Sequence, residues 1–154
     1  MRKEYRNQLR DFNHNISLMA DFVRTTLNSA TRSLLETDLE LAEKVLSSID
    51  TLEDLRVNSV AAAFQLLALE APVARDLRFV VAGQHIVEDF TRMGALAVHV
   101  AKVARRRHPE NAVPAPLRPY IEEMARQCDQ SAEKIQELLR DHNVQTALDL
   151  IKDD

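Results

Sequence analysis

The side chains that could do chemistry in this 154-residue sequence are carboxylates and basic groups at helical spacing. Asp50 and Asp54 stand one helical turn apart, which places both on one face of a helix. Glu88 and Asp89 lie one turn after His85, at the same kind of spacing. The sequence shows no Ser/His/Asp order, no Gly-rich phosphate loop and no Cys-x-x-Cys pair. No motif of these kinds therefore indicates an enzyme.

Long helices must position these groups. Apolar residues recur every three or four positions over residues 3–35, which predicts one helix roughly 50 Å long. Similar patterns predict helices over about 37–69, 73–107 and 117–139, and a fifth from about 143. With 2 glycines and 5 prolines, the sequence lacks the tight turns of a β fold. We predict an all-α fold, a long antiparallel helical bundle.

Local signals define the second and third helices. Thr37 with Glu40 has the form of a capping box that starts the second helix, and Pro72 is placed to stop it and to begin the next. Gly83 and Gly94 lie on one side of the third helix, where they predict the close approach of another helix. The second helix is predicted to bury Ala42, Val45, Leu46, Ile49, Leu52, Val60, Ala63 and Leu67.

Charge and cysteine content argue against several classes of protein. The chain carries 20 basic and 24 acidic residues, a net charge of −4, which argues against attachment to nucleic acid or anionic lipid by bulk charge. The lone Cys128 cannot form an internal disulfide, and its place on an apolar stripe predicts a small core side chain. No apolar run approaches the roughly 20 residues that cross a bilayer, and the first residues lack a signal peptide's apolar stretch. We expect a cytoplasmic protein.

An internal repeat organises the sequence. With a shift of 105 residues, the fourth predicted helix lies over the first, and the apolar stripes share the same irregular step. We divide the chain into a first three-helix unit, residues 1–107, a proline-rich linker, residues 108–116, and the beginning of a second unit, residues 117–154. The stripe Phe12, Ile16, Met19, Ala20, Val23, Leu27, Ala30 and Leu34 falls on Leu117, Ile121, Met124, Ala125, Cys128, Ala132, Ile135 and Leu139.

The opening of the third helix resembles a family motif. Residues 70–78 read Glu-Ala-Pro-Val-Ala-Arg-Asp-Leu-Arg, which is similar to the pattern Q-x-P-x-A-x-D-L-R of the PhoU family. Asp38 and Asp50 also fit that family, and Arg92 opens an Arg-Met-Gly element where the family has Arg-Ile-Gly. Tandem three-helix units resemble the family's architecture, and residues 93–109 resemble its actinobacterial branch.

The resemblance implies a regulator and not an enzyme. PhoU-like proteins couple a phosphate ABC transporter to a sensor histidine kinase, and they keep the phosphate-starvation response off when phosphate is plentiful. The implied partners are the transporter's ATPase and the kinase, with no nucleic acid and with the membrane reached only through these partners. The matched motifs place partner-binding residues at Asp76, Arg78 and Arg92.

The resemblance also implies a metal site, because PhoU-like proteins can bind metal clusters through Glu/Asp-x-x-x-Asp pairs on adjacent helices. Asp50 and Asp54 match one such pair. On the third helix, however, Thr91 and Ala95 stand where the family has carboxylates. These two departures favour little or no metal.

Glu88 and Asp89, one turn earlier, are the substitutes that the third helix offers. Oxygen ligands with one imidazole would suit Mg, Mn or Fe. The alternative is a solvated face without metal, on which Glu88 pairs with Arg92. The candidate ligands are Asp50, Asp54, Glu88 and Asp89.

Two other classes of protein remain as alternatives. A ferritin-like carboxylate metal-binding protein needs Glu-x-x-His on two helices, and no Glu-x-x-His occurs in the sequence. A structural coiled-coil dimer would need continuous helices, whereas Pro72 and the proline-rich linker favour folding back. The apolar stripe of the fourth helix separately predicts a homodimer, because a second copy would cover it.

Overall fold

A computed structural model describes residues 2–70, 74–142 and 144–153. Within these ranges the chain is helical and contains no strand, so the all-α prediction is confirmed. A short 3₁₀ turn, Ala115–Leu117, precedes the fifth helix. The six α-helices are α1 (Arg2–Glu36), α2 (Leu39–Ser47), α3 (Ile49–Glu70), α4 (Ala74–Arg107), α5 (Arg118–Asp141) and α6 (Val144–Asp153). The predicted signals at Pro72 and Asn143 lie outside the described residues.

Helix α1 is the central element, and it packs against α2, α3, α4 and α5. Its predicted apolar stripe is confirmed, since Phe12, Ile16, Met19, Val23 and Ala30 are all buried. Toward the start of α1 the stripe joins a core with α3 and α4. Toward its end it joins a second core with α2 and α4. Helix α4 also contacts α1, α2 and α3, as expected of a helix that is apolar over more than one face.

The predicted second helix is two helices, because the helix is interrupted at Ser48. The Ser48 hydroxyl donates to the Val45 carbonyl at 2.7 Å, and its backbone N–H donates to the same oxygen at 3.1 Å. Serine side chains compete in this way with regular helical bonding. After the break the buried positions shift: Leu66 is fully buried, whereas Ile49 and Leu67, both predicted inside, are exposed.

The predicted capping box at Thr37 is wrong. Asp38 caps α2, since its Oδ1 accepts a hydrogen bond from the Leu41 N–H at 2.9 Å. Thr37 instead ends α1 in the left-handed region, with φ of 57°. The Asp38 N–H then reaches back to the Ser33 carbonyl at 3.1 Å, which is the bond of a Schellman motif. The residues of the predicted capping box are also those of the turn that ends α1, and in the structure they form the turn.

Both glycines of α4 allow close packing, as predicted. A Cβ added to Gly83 would lie 2.5 Å from Phe12 Cε1 and 3.0 Å from Ile16 Cδ1. At Gly94 an added Cβ would collide with Leu52 of α3. The glycines thus bring α4 against α1 at one position and against α3 at the other.

Helix α5 returns along α1 in the antiparallel direction, and polar groups join the two helices. The Arg24 guanidinium donates to both carboxylate oxygens of Asp129, at 2.7 and 3.0 Å, and to Gln136 at 2.8 Å. Asn28 donates to Asp129 at 2.7 Å, and Glu133 lies 3.5 Å from Arg24. In the 105-residue repeat, Arg24 matches Asp129 and Asn28 matches Glu133. The two matching helices therefore cross about a local pseudo-twofold axis.

The apolar stripe of α5 is only partly covered. Ala132 is buried, and Ile121, Ile135 and Leu139 are half-buried. Leu117 and Met124 are 51% and 60% exposed. Cys128 is also exposed, so its predicted place in the core is wrong. Ile135 and Leu139 pack against the first core, whereas the part of the stripe near the start of α5 is left uncovered by the first unit.

Replacing Gly83 with alanine tests the contact between α1 and α4. Overpacking costs about 1–3 kcal/mol and helix propensity returns about 1 kcal/mol, so Gly83→Ala should lower the free energy of unfolding by up to about 2 kcal/mol. Urea denaturation followed by circular dichroism measures the change. Gln84→Ala is the control, because that position already carries a Cβ. A Gly83→Ala variant more stable than the wild type by about 1 kcal/mol, the propensity gain alone, would contradict the close packing.

Replacing Arg24 with methionine tests the junction between α1 and α5. We expect a loss of about 1–2 kcal/mol for these partly exposed charged hydrogen bonds, with faster amide exchange in α5. Arg126→Met is the matched control, since Arg126 pairs within α5, with Glu123.

Hydrogen bonds from Arg24 and Asn28 hold the pKa of Asp129 below its ordinary 3.8. The stabilisation is therefore complete above that pH and disappears as the pH falls through the lowered pKa; equal acid sensitivity of wild type and Arg24→Met would contradict this.

Candidate functional site

The predicted partner-binding residues all lie on α4. Asp76 occupies its first turn and is half-buried, where a carboxylate stabilises the helix N-terminus. Arg78 and Arg92 are exposed, and about four helical turns separate them, roughly 21 Å along the axis. Neither arginine forms an ion pair with a described residue. Both guanidinium groups are therefore available to an outside carboxylate or phosphate.

Arg92 lies at an apolar groove between α4 and α5. The groove has a volume of about 690 Å³. A second cavity of about 340 Å³ shares its Ile86, Leu138 and Leu139 and extends toward α1 and α6. Asp89 and Arg92 supply the charged groups of the larger groove, whose other lining residues are Ile86, Phe90, Met93, Leu96, Ile135, Leu138 and Leu139.

The predicted metal ligands are exposed carboxylates that do not form one coordination site. Asp50 and Asp54 lie on α3, and Glu88 and Asp89 lie on α4. Asp89 belongs to the groove toward α5. Within residues 2–70, 74–142 and 144–153, no three His, Cys, Asp or Glu side chains are grouped so as to hold a metal ion. The described residues thus do not fit a metal centre, and metal binding stays a prediction.

Arg56 occupies the neighbourhood in which the metal was predicted. Its guanidinium donates two hydrogen bonds to the Glu53 carboxylate, at 2.9 and 2.6 Å. These bonds lower the pKa of Glu53 and raise that of Arg56, and the charge of Glu88 raises the pKa of Arg56 further. The Glu88 charge therefore acts on Arg56 of α3, and the predicted pair of Glu88 with Arg92 is not among the ion pairs of the described residues. A fixed guanidinium beside these carboxylates opposes a metal cation.

An exposed apolar surface on α3 and α4 is not marked by any of the sequence motifs. Phe64 is 68% exposed, and Val57 and Leu67 on α3 and Leu77 and Val81 on α4 are exposed with it. The available signal was the absence of Asp, Glu, Lys and Arg from residues 57–69 and 79–87. In a sequence with 29% charged residues, two such runs on neighbouring helices mark a surface with few charges.

Comparison with known proteins identifies the family. The family model described as "PhoU domain" matches residues 16–104. The whole chain is 40% identical to "Phosphate-specific transport system accessory protein PhoU homolog 2" of Mycobacterium tuberculosis, covering 72% of that protein. Over 82% of the chain it is 41% identical to PhoU homolog 1 of Mycobacterium leprae, covering 57% of that protein.

A solved structure has the same fold. The crystal structure of PhoU from Pseudomonas aeruginosa superposes with a TM-score of 0.84 at 21% sequence identity, covering 94% of this chain and 69% of that one. At that identity the likeness concerns the fold alone. The family model and the 40% identical relative carry the assignment further: the chain belongs to the PhoU family.

Proposed function

We propose that this chain is an accessory regulator of a phosphate transport system. More specifically, it acts as an adaptor between the transporter's ATPase and a sensor histidine kinase, and it represses the phosphate-starvation response. The observation that carries the proposal is the match, over the whole of this chain, to a relative named as a phosphate-specific transport system accessory protein. The same assignment favours regulation through protein contacts over the ferritin-like alternative and over catalysis.

The arrangement of α4 supports the adaptor role. Arg78 and Arg92 project from one long helix that the Gly83 and Gly94 contacts fix against α1 and α3. A rigid helix can hold two guanidinium groups at a constant separation, which suits recognition of a defined partner surface. Asp76, half-buried in the first turn, supports the helix end from which Arg78 projects.

The proposed location is the cytoplasm, with contact to the membrane only through the transporter and the kinase. Among the described helices, none is both long and apolar enough to span a bilayer. The homodimer stays a prediction as well. A second copy would cover Leu117 and Met124, the exposed part of the α5 stripe.

Arg78→Ala tests the proposed adaptor. We expect weaker binding to the transporter ATPase, to the kinase or to both, by about tenfold if the guanidinium meets a desolvated carboxylate. Titration of each purified partner measures affinity, and a starvation-response reporter in cells measures repression. Arg32→Ala, an exposed arginine on α1 that pairs with Glu36, is the control.

A structural effect must be separated from a contact. Arg78→Ala should therefore keep the urea midpoint of the wild type, because its side chain makes no described ion pair. Normal affinity for both partners together with normal repression would remove Arg78 from the proposed interface.

We further propose little or no bound metal in this part of the family fold. After dialysis against a chelator and then against Mn²⁺, Fe²⁺ or Mg²⁺, elemental analysis should find well under one ion per chain. Asp54→Asn should have the same metal content as the wild type, since Arg56 opposes a cation beside these carboxylates. Stoichiometric metal in the wild type that Asp54→Asn abolishes would establish the site instead.

A further inference from the structure

An exposed apolar face covers the outer side of the hairpin formed by α3 and α4. We call it the hairpin face and define it by Val57, Phe64, Leu67, Leu77 and Val81, with Arg78 at the end nearest the loop. Phe64 is 68% exposed, and the other four apolar side chains are 37–48% exposed. Solvent-facing apolar residues on a soluble protein are usually scattered, and a contiguous group marks an interaction site.

The contact of α3 with α4 at Leu52 and Gly94 sets the antiparallel register of the two helices. The effect of the Glu88 charge on Arg56 agrees with that register. About two helical turns toward the loop from Arg56 and Glu88, the register brings Phe64 opposite Val81. Leu67 and Leu77 follow one turn further. The hairpin face is therefore one continuous patch across two helices.

The rest of the described chain leaves this patch uncovered. Among the described residues, α3 packs only against α1, α2 and α4. Helix α5 lies against α1 and α6 lies against α5, and neither packs against α3. The patch lies within residues 16–104, the part that the PhoU family model matches. The patch therefore belongs wholly to the first unit.

We propose that the hairpin face is the surface that docks onto the ATPase subunit of the phosphate transporter. This inference rests on the proposed function for the identity of the partner and adds the surface and its chemistry. The partner surface should be apolar where it meets Phe64 and Val81, because residues 57–69 and 79–87 offer no charged partner. It should carry a carboxylate at the loop end, opposite Arg78, which makes no ion pair with a described residue.

The charge pattern favours a protein over a lipid surface. Binding to anionic lipid needs several basic groups beside an apolar face. Here Arg78 is the one cation of the hairpin face as defined, and Asp76 lies on the same turn of α4. Aromatic residues and arginine are enriched in protein–protein interfaces, and the hairpin face offers one exposed phenylalanine with one arginine at its end.

Phe64→Ser is the decisive variant, because a side chain this exposed is removed without opening a cavity. Titrated with the purified ATPase subunit, Phe64→Ser should bind at least tenfold more weakly than the wild type and keep the same urea midpoint. Tyr120→Ser is the matched control: Tyr120 is 69% exposed on α5, outside the hairpin face. Its affinity should equal that of the wild type.

Arg78→Glu tests the charged end. It should weaken binding by at least tenfold through repulsion of the partner's carboxylate, and high salt should reduce the difference from the wild type. Binding of the ATPase by the wild type and by Phe64→Ser with equal affinity would overturn the hairpin face and leave the proposed function standing. No binding by the wild type would overturn both.

Two further measurements separate other occupants. Sedimentation with phosphatidylglycerol vesicles should leave the wild type in the supernatant, and vesicle binding that Phe64→Ser abolishes would overturn the proposal in favour of lipid. Light scattering should give wild type and Phe64→Ser the same mass. A dimer that only Phe64→Ser dissociates would show that a second copy occupies this face, and would overturn the proposal equally.

Discussion

The contact of α4 with α1 at Gly83 is the constraint on which the rest of the fold depends. A Cβ at that position would meet the Phe12 ring at 2.5 Å, and that ring is fully buried, so a shift would disturb the core around it. The absence of a Cβ therefore sets the separation of the two longest helices. Gly94 sets the distance from α4 to α3 in the same way, through Leu52. These contacts fix the position of α4, and with it every exposed group that the helix carries.

Helix α1 uses different physics on its two sides. Toward α3 and α4 it buries large apolar side chains, each worth about 1.5–3 kcal/mol. Toward α5 it offers Arg24, Asn28 and Asp21, and partly exposed pairs of this kind contribute about 1 kcal/mol or less each. The first contact is strong and non-directional, whereas the second is weak and specific in register. The pseudo-twofold relation between α1 and α5 lies in the polar contact, because Arg24 and Asp129 occupy equivalent positions of the repeat and bind each other.

Periodicity predicted the parts of the fold that apolar burial decides. The bundle, the stripe from Phe12 to Ala30 and the glycine contacts all follow from spacing. The break at Ser48 and the Asp38 cap did not, because they depend on which of several polar groups wins a backbone partner. The bond between Arg24 and Asp129 could have been predicted from the sequence, since the repeat places residues of opposite charge at these two equivalent positions. For the candidate site, the family motifs predicted Arg78 and Arg92. That Phe64 lies beside Val81 follows only from the register between α3 and α4, which the motifs do not contain.

This division of forces bears on how an adaptor of this shape would respond to a partner. A partner that binds the outer side of α3 and α4 binds a rigid group of helices that includes α1, because close packing between these helices resists sliding. The nearest weak boundary among the described helices is the polar contact between α1 and α5, where hydrogen bonds can exchange with water at little cost. Relative movement is therefore favoured there. The groove between α4 and α5, with Arg92 at its side, would change width with that movement.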